Sequence, residues 1–144
     1  MILPDLNLLI HAYNTGSPRH EAARAWWEEV LSKPAPAVGL AWVVALGYIR
    51  LTTHPRIMDR PLSPSAACAD VESWLGQPQV AVLHPGKRHT SILFDLLRGL
   101  GTAGNLTTDA HLAALAIEYQ ATLLTTDADF ARFPGLKWEN PVAG

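Results

Sequence analysis

Four aspartates stand where carboxylates could share one task. Asp5 follows Leu3-Pro4, Asp109 follows Thr107-Thr108, and Asp127 follows Thr125-Thr126, with Asp129 two residues on. The first three fall where a strand gives way to a helix, or where a helix starts. In a parallel sheet such positions converge at one edge. Converging carboxylates repel and raise each other's pKa unless a cation neutralises them. Oxygen-only ligands, with no Cys or paired His, suit a hard ion such as Mg²⁺ or Mn²⁺. Such an ion uses one or two carboxylates, keeps several waters and completes its shell with phosphate oxygens; a pair of ions activates a water and stabilises the leaving oxygen. The implied chemistry is phosphodiester hydrolysis. Taken singly, each Asp reads first as a helix or turn cap, and Asp129 has the weakest functional claim.

The elements that must position these acids alternate along the chain. An apolar run at Met1 to Leu3 reads as a buried strand ending at Asp5, where a helix takes over. Ser17-Pro18 predicts a helix start, Ser as N-cap and Pro at the first helical position, continuing through Ala22, Ala23, Trp26 and Trp27 to about Lys33. Trp42, Ala45, Leu46 and Ile49 mark the apolar face of a third helix that stops near His54-Pro55, with Gly47 costing it about 1 kcal/mol relative to Ala. Ser63-Pro64 predicts a helix ending at Gly76, and Val80 to Leu83 a short buried strand. A helix from His89 closes at Gly99, and another opens at Asp109 with Leu112, Leu115, Ala116 and Tyr119 on one face. Ala121 to Thr125 is strand-like, and Leu136 to Trp138 adds a last edge strand. The alternation predicts one α/β domain over residues 1–144, a mostly parallel sheet with helices on both faces. In such sheets the functional crevice lies beyond the carboxyl ends of the strands.

Composition sets the frame. A chain of 144 residues, 49% hydrophobic, is the size of one domain with a real core. Eleven Lys and Arg against 13 Asp and Glu give −2, which by itself advertises no polyanionic partner. With Asp5, Asp109, Asp127 and Asp129 set aside as an inward-facing site, nine acids face 11 bases, and the exterior becomes weakly basic. Charged residues are only 17%, against a usual value of about 25%, which predicts apolar surface meant for another chain. The lone Cys68 excludes an internal disulfide and fits a reducing cytoplasm, and neither a signal peptide nor an apolar stretch of membrane-spanning length is expected.

Four segments together carry a family resemblance: the Pro4-Asp5-Leu6-Asn7-Leu8-Leu9 opening, Arg50-Leu51-Thr52-Thr53-His54-Pro55-Arg56, the Thr108-Asp109-Ala110-His111-Leu112-Ala113-Ala114-Leu115-Ala116 helix, and Thr126-Asp127-Ala128-Asp129-Phe130 through Leu136. In this order they resemble PIN-domain ribonucleases, and within them the mycobacterial-type branch of VapC toxins from type II toxin–antitoxin pairs. The resemblance implies a metal-dependent endoribonuclease that cleaves structured RNA such as tRNA or rRNA, uses Mg²⁺ or Mn²⁺, dimerises and is silenced by a VapB antitoxin. It implies Asp5, Asp109 and Asp127 as catalytic and metal-binding acids, Asp129 as neighbour, and Asn7 as a polar group ordering the first carboxylate. Many relatives carry a Glu on the third helix where this chain has Gly47, so the resemblance also allows a degenerate module that binds RNA or antitoxin without strong cleavage.

The remaining features read more plainly. Arg50, His54, Arg56 and Arg60, and then Lys87, Arg88 and His89, form two basic stretches that suit RNA phosphates or an ordinary solvated face. Of Trp26, Trp27, Trp42 and Trp74, core packing is expected for most, with Trp27 and Trp74 the candidates for an interface. His11, His20 and His111 lack metal-binding spacing and read as surface or satisfied side chains, although His111 follows Asp109 closely enough to lie near the site. A phosphoacceptor signalling domain is the alternative from the sheet alone; it wants a Lys at a late strand end, and Lys137 is the nearest.

Overall fold

The structure, a computed structural model, describes residues 1–143. Five parallel strands form one sheet: β1 (Ile2–Pro4), β2 (Val38–Ala41), β3 (Val80–Leu83), β4 (Thr122–Leu124) and β5 (Trp138–Glu139), in the order β3-β2-β1-β4-β5. Six helices connect them: α1 (Leu6–Tyr13), α2 (His20–Ser32), α3 (Trp42–Thr52), α4 (Pro64–Leu75), α5 (His89–Arg98) and α6 (Thr107–Glu118). The chain steps outward from β1 to β2 to β3, then returns across the sheet to β4. With right-handed crossovers, α1 to α4 cover one face and α5 and α6 the other. The order reverses between β1 and β4, so the crevice of this sheet opens at the carboxyl ends of those two strands. Buried aliphatic side chains of the strands, among them Leu3, Val38, Leu40 and Leu123, form the centre of the core.

The strand missing from the sequence-based expectation is β2. All four of its residues are buried, and Gly39 leaves room for the Leu83 side chain of β3, whose Cδ1 occupies the place where a Cβ would stand. An apolar strand buried on both faces shows no alternation. The helix after it starts at Trp42 with no side-chain cap, so nothing in the sequence separates the two.

Other boundaries differ for local reasons. Helix α2 begins at His20 rather than Pro18, because the Ser17 hydroxyl accepts from Arg19 N in a tight turn. Helix α6 begins at Thr107, after a short 3-10 turn at Gly104–Leu106, so Asp109 lies in its first turn and is not its cap. Helix α6 is buried nearly all round, from Ala110 to Ala116, which its alanines permit, rather than along one face. On α3 the buried side is Val44, Ala45, Tyr48 and Thr52, while Trp42 (49% exposed) and Leu46 (60%) face out, correcting the expected apolar face.

Trp27 and Trp74 are likewise buried rather than at an interface. They pack edge to face at 5.6 Å, and Trp74 packs against Tyr48 at 4.6 Å. Lys137 precedes β5, at the amino-terminal edge of the sheet, which removes the lysine a phosphoacceptor site would need.

Candidate active site

The crevice at the switch between β1 and β4 is built from chain ends that the sheet itself brings together. Pro4 pairs with Leu124, so the next residues out, Asp5 and Thr125, stand side by side beyond the last backbone pair. Asp5 N donates to Leu124 O at 2.8 Å, and the Thr125 hydroxyl donates to Asp5 Oδ2 at 2.7 Å. The other carboxylate oxygen, Oδ1, accepts from Leu6 N at 2.7 Å and caps α1. Asp5 is thus a cap and a fixed carboxylate at once. Thr125 is fully buried and also accepts from Asp127 N at 3.0 Å, so one hydroxyl ties both acids to the strand end. Asp127 Oδ1 accepts from Asp129 N at 2.9 Å and opens the turn at Ala128–Arg132.

Asp5, Asp109 and Asp127 line one cleft of about 300 Å³, together with Leu6, Asn7, Ile10, His11 and Leu51. A smaller hollow of about 80 Å³ continues from it, sharing Asp5, Leu6 and Asp109 and reaching Val43, Val44, Thr108 and Leu112. The three sequence-predicted acids therefore meet. Asp129 is exposed and stands outside the lining, 3.9 Å from Arg132. Asn7 turns its amide towards Thr125 Oγ1 at 3.5 Å, while its Oδ1 is buried without a hydrogen-bond partner.

The electrostatics show the cost of this gathering. Burial raises the pKa of Asp5, against the lowering effect of its bonds to Thr125 and Leu6 N, and Asp127 raises it further. Asp109 is pushed up to about 6, first by burial and then by Asp5, Asp127 and Asp129. Repulsion of this kind is relieved by a cation. Among the described residues no three His, Cys, Asp or Glu groups gather closely enough to hold one metal ion directly as they stand. An open array of carboxylates fits Mg²⁺, which takes one or two of them and keeps waters, better than it fits an ion needing a full protein shell.

Several polar residues fall otherwise than the sequence suggested. His111 turns away from the acids to His89, with Nδ1 and Nε2 3.0 Å apart, and His89 is buried, leaving Lys87 and Arg88 as that basic stretch. His11, read as a surface or satisfied side chain, is indeed satisfied by Ser17, but it also stands in the cleft wall. The signal for it was present, because Asn7 and His11 are four apart on the helix that Asp5 opens and so share a face. The tie made by Thr125 had no periodic signature. Gly47, where the resemblance expects a Glu, is buried against α1: a Cβ there would come within 2.5 Å of Leu6 Cδ2.

The PIN domain family profile matches residues 2–136. Ribonuclease VapC33 of Mycobacterium tuberculosis is 45% identical over 142 residues, covering 99% of each chain, and Ribonuclease VapC37 of the same organism is 42% identical over 143 residues, again covering 99% of each. Solved structures share the fold at lower identity. VapBC2 from Rickettsia felis bound to a promoter DNA fragment superposes with a TM-score of 0.68 at 19% identity, over 97% of this chain and 98% of that one. Mycobacterium tuberculosis VapC20, a sarcin-ricin loop cleaving toxin, superposes at 0.65 and 20% identity, over 95% and 99%. With matches over nearly the whole chain, three acids at the sheet's switch point and an undivided α/β domain, the chain belongs to the PIN-domain family and, within it, to the VapC ribonucleases.

Proposed function

We propose that the chain is the toxin of a type II toxin–antitoxin pair, an Mg²⁺-dependent endoribonuclease that accepts Mn²⁺ in its place. Its substrate is structured RNA such as tRNA or rRNA, and it acts in the cytoplasm. The observation that carries this reading is the meeting of Asp5, Asp109 and Asp127 in one cleft at the switch point of the sheet. Asp5, Asp109 and Asp127 would hold the ion, one or two of them directly and the rest through its waters. When bound, it lowers the pKa of a water nucleophile and offsets charge developing on the phosphate oxygens.

The chain's own contribution is orientation. Thr125 and Leu6 N hold the two oxygens of Asp5 in fixed directions. Asp109, raised by burial and by its acidic neighbours, gains most from a cation. Leu6, Ile10 and Leu51 form the aliphatic part of the cleft wall beside the acids.

A VapB-type antitoxin is the inhibitor in this reading; the likeness to chains solved as VapBC complexes supports it. A homodimer is supported by Trp42 and Leu46, exposed one turn apart on α3, and by the low charged content of the chain.

Purified protein should cleave tRNA or rRNA fragments with Mg²⁺ or Mn²⁺ and lose cleavage in EDTA. Asp5→Asn or Asp109→Asn should lower the rate by about 10³-fold, since each removes charge stabilisation at the reacting centre. Full activity in either variant would sink the proposal. A second reading, an RNA- or antitoxin-binding module without strong cleavage, is favoured by one observation, the Leu6 side chain packed where a third-helix acid would start. It predicts tight RNA binding with no metal-dependent turnover until Gly47→Glu is combined with Leu6→Ala.

A further inference from the structure

Apart from the acids, the cleft offers an incoming RNA very little that can donate a hydrogen bond. Its walls are three carboxylates, the aliphatic side chains of Leu6, Ile10 and Leu51, and two polar groups, Asn7 and His11. Carboxylates only accept, and so do the phosphate oxygens of RNA. The Asn7 amide is turned towards Thr125. His11 is the other side-chain donor of the lining, one helical turn beyond Asn7 on α1.

Its orientation is built rather than incidental. His11 Nδ1 lies 2.7 Å from Ser17 Oγ, and Ser17 Oγ accepts from Arg19 N at 3.1 Å. In the tautomer that carries its proton on Nε2, His11 Nδ1 accepts from the Ser17 hydroxyl, and Ser17 still accepts from Arg19 N. The backbone is held as well, because His20 Nδ1 lies 3.0 Å from His11 O. Burial and then Arg19 lower the imidazole's pKa from its ordinary value, which favours the neutral form. A neutral donor suits a cleft of this charge, since it adds no second cation to compete with a metal ion for the carboxylates.

We propose that His11 is a substrate-contacting residue, held by Ser17 so that Nε2–H donates to a non-bridging phosphate oxygen of the RNA backbone in the acid cleft. Ser17 is the positioning residue. The proposal rests on the ribonuclease reading for its substrate class, but its first readout is binding. Loss of one neutral hydrogen bond corresponds to about a tenfold change.

The test uses the full chain and 5′-labelled stem-loop RNA oligonucleotides, with binding measured in the Asp109→Asn background and cleavage in the wild-type background. His11→Leu should weaken RNA binding about tenfold and raise KM by a similar factor, with kcat changed less. His11→Gln, whose amide donates from a similar reach, should recover most of that loss. Ser17→Ala should produce a smaller loss of the same kind. The thermal midpoint separates this from a structural role, because His11 and Ser17 also tie the end of α1 to the turn before α2. Equal affinity in His11→Leu overturns the proposal. A loss that Gln fails to recover, or that tracks a fall in thermal midpoint, also overturns it. RNA bound but not cleaved by the wild type, with His11→Leu weakening that binding, overturns the nuclease reading and sustains the contact.

Discussion

Two clusters of buried polar and aromatic groups in this molecule obey opposite rules. Between α1, α2, α3 and α4 lies an aromatic box in which Tyr13 packs on Tyr48, Tyr48 on Trp74, Trp74 on Trp27 and Trp27 on Trp26. Its main polar pair is satisfied, the Tyr48 hydroxyl donating to Asp70 Oδ2 at 2.7 Å, and burial together with Asp70 keeps that phenol protonated, while the neutral Trp27 Nε1 is buried without a partner. At the switch point of the sheet, Asp109 is partly buried beside Asp5 and Asp127, and its raised pKa is traced to burial and like charge with no hydrogen bond to offset them. The first cluster stabilises the fold. The second costs stability, and the relief it lacks is a positive charge. Where buried polar groups are paired they hold the structure together; where like charges are gathered without partners, a ligand is called for.

The contrast can be broken from either side. The largest expected effect is Trp74→Ala, which should destabilise the protein by about 3–5 kcal/mol in denaturant unfolding through lost apolar burial and the cavity left behind. The surviving folded fraction should still bind divalent ions. Tyr48→Phe should come next, at about 1–2 kcal/mol, because it removes a bond to a charged acceptor while Asp70 can regain water.

The smallest effect should have the opposite sign. Asp109→Asn should raise the thermal midpoint of metal-free protein at pH 7 by about 2–4 °C, which corresponds to about 1 kcal/mol once solvent screening of this half-exposed group is allowed for. The sign follows from linkage. A carboxyl whose folded pKa is raised binds its proton more tightly in the folded state, so its contribution is favourable below the unfolded value of 3.8 and is lost as pH rises through about 6. The advantage of the Asn variant should therefore vanish near pH 4. Added Mg²⁺ should also erase it, by stabilising the wild type alone. A variant less stable than wild type at pH 7 without metal would show that Asp109 is paired after all.

Much of the fold could be read from the chain because its punctuation is local. Ser63 caps α4 with Pro64 following, and Gly76 and Gly99 end α4 and α5 where the pattern placed those ends. Helix α6 announced itself through its alanines, although its start moved because Thr107 and Thr108 join the helix ahead of Asp109. What the pattern missed was β2, whose four residues carry no alternation and run into α3 without a cap. The tryptophans were misassigned for a related reason. Periodicity gives a face but not its neighbour, so Trp27 and Trp74 went into the box while Trp42 was left outside.

The sequence alone determined the identities of the three acids, their places at strand ends and helix starts, and the family to which their order belongs. These depend on residue type and on spacing along the chain. Tertiary structure decided the rest: that Thr125, 120 residues from Asp5, holds one of its oxygens; that Leu6 fills the space beside Gly47; that His11 stands in the cleft wall while His111 turns away. Each of these follows from the register of β1 against β4 and from the packing of α1 on α3. Parallel pairing joins residues that the chain keeps far apart, and no local pattern encodes which residues will meet across it.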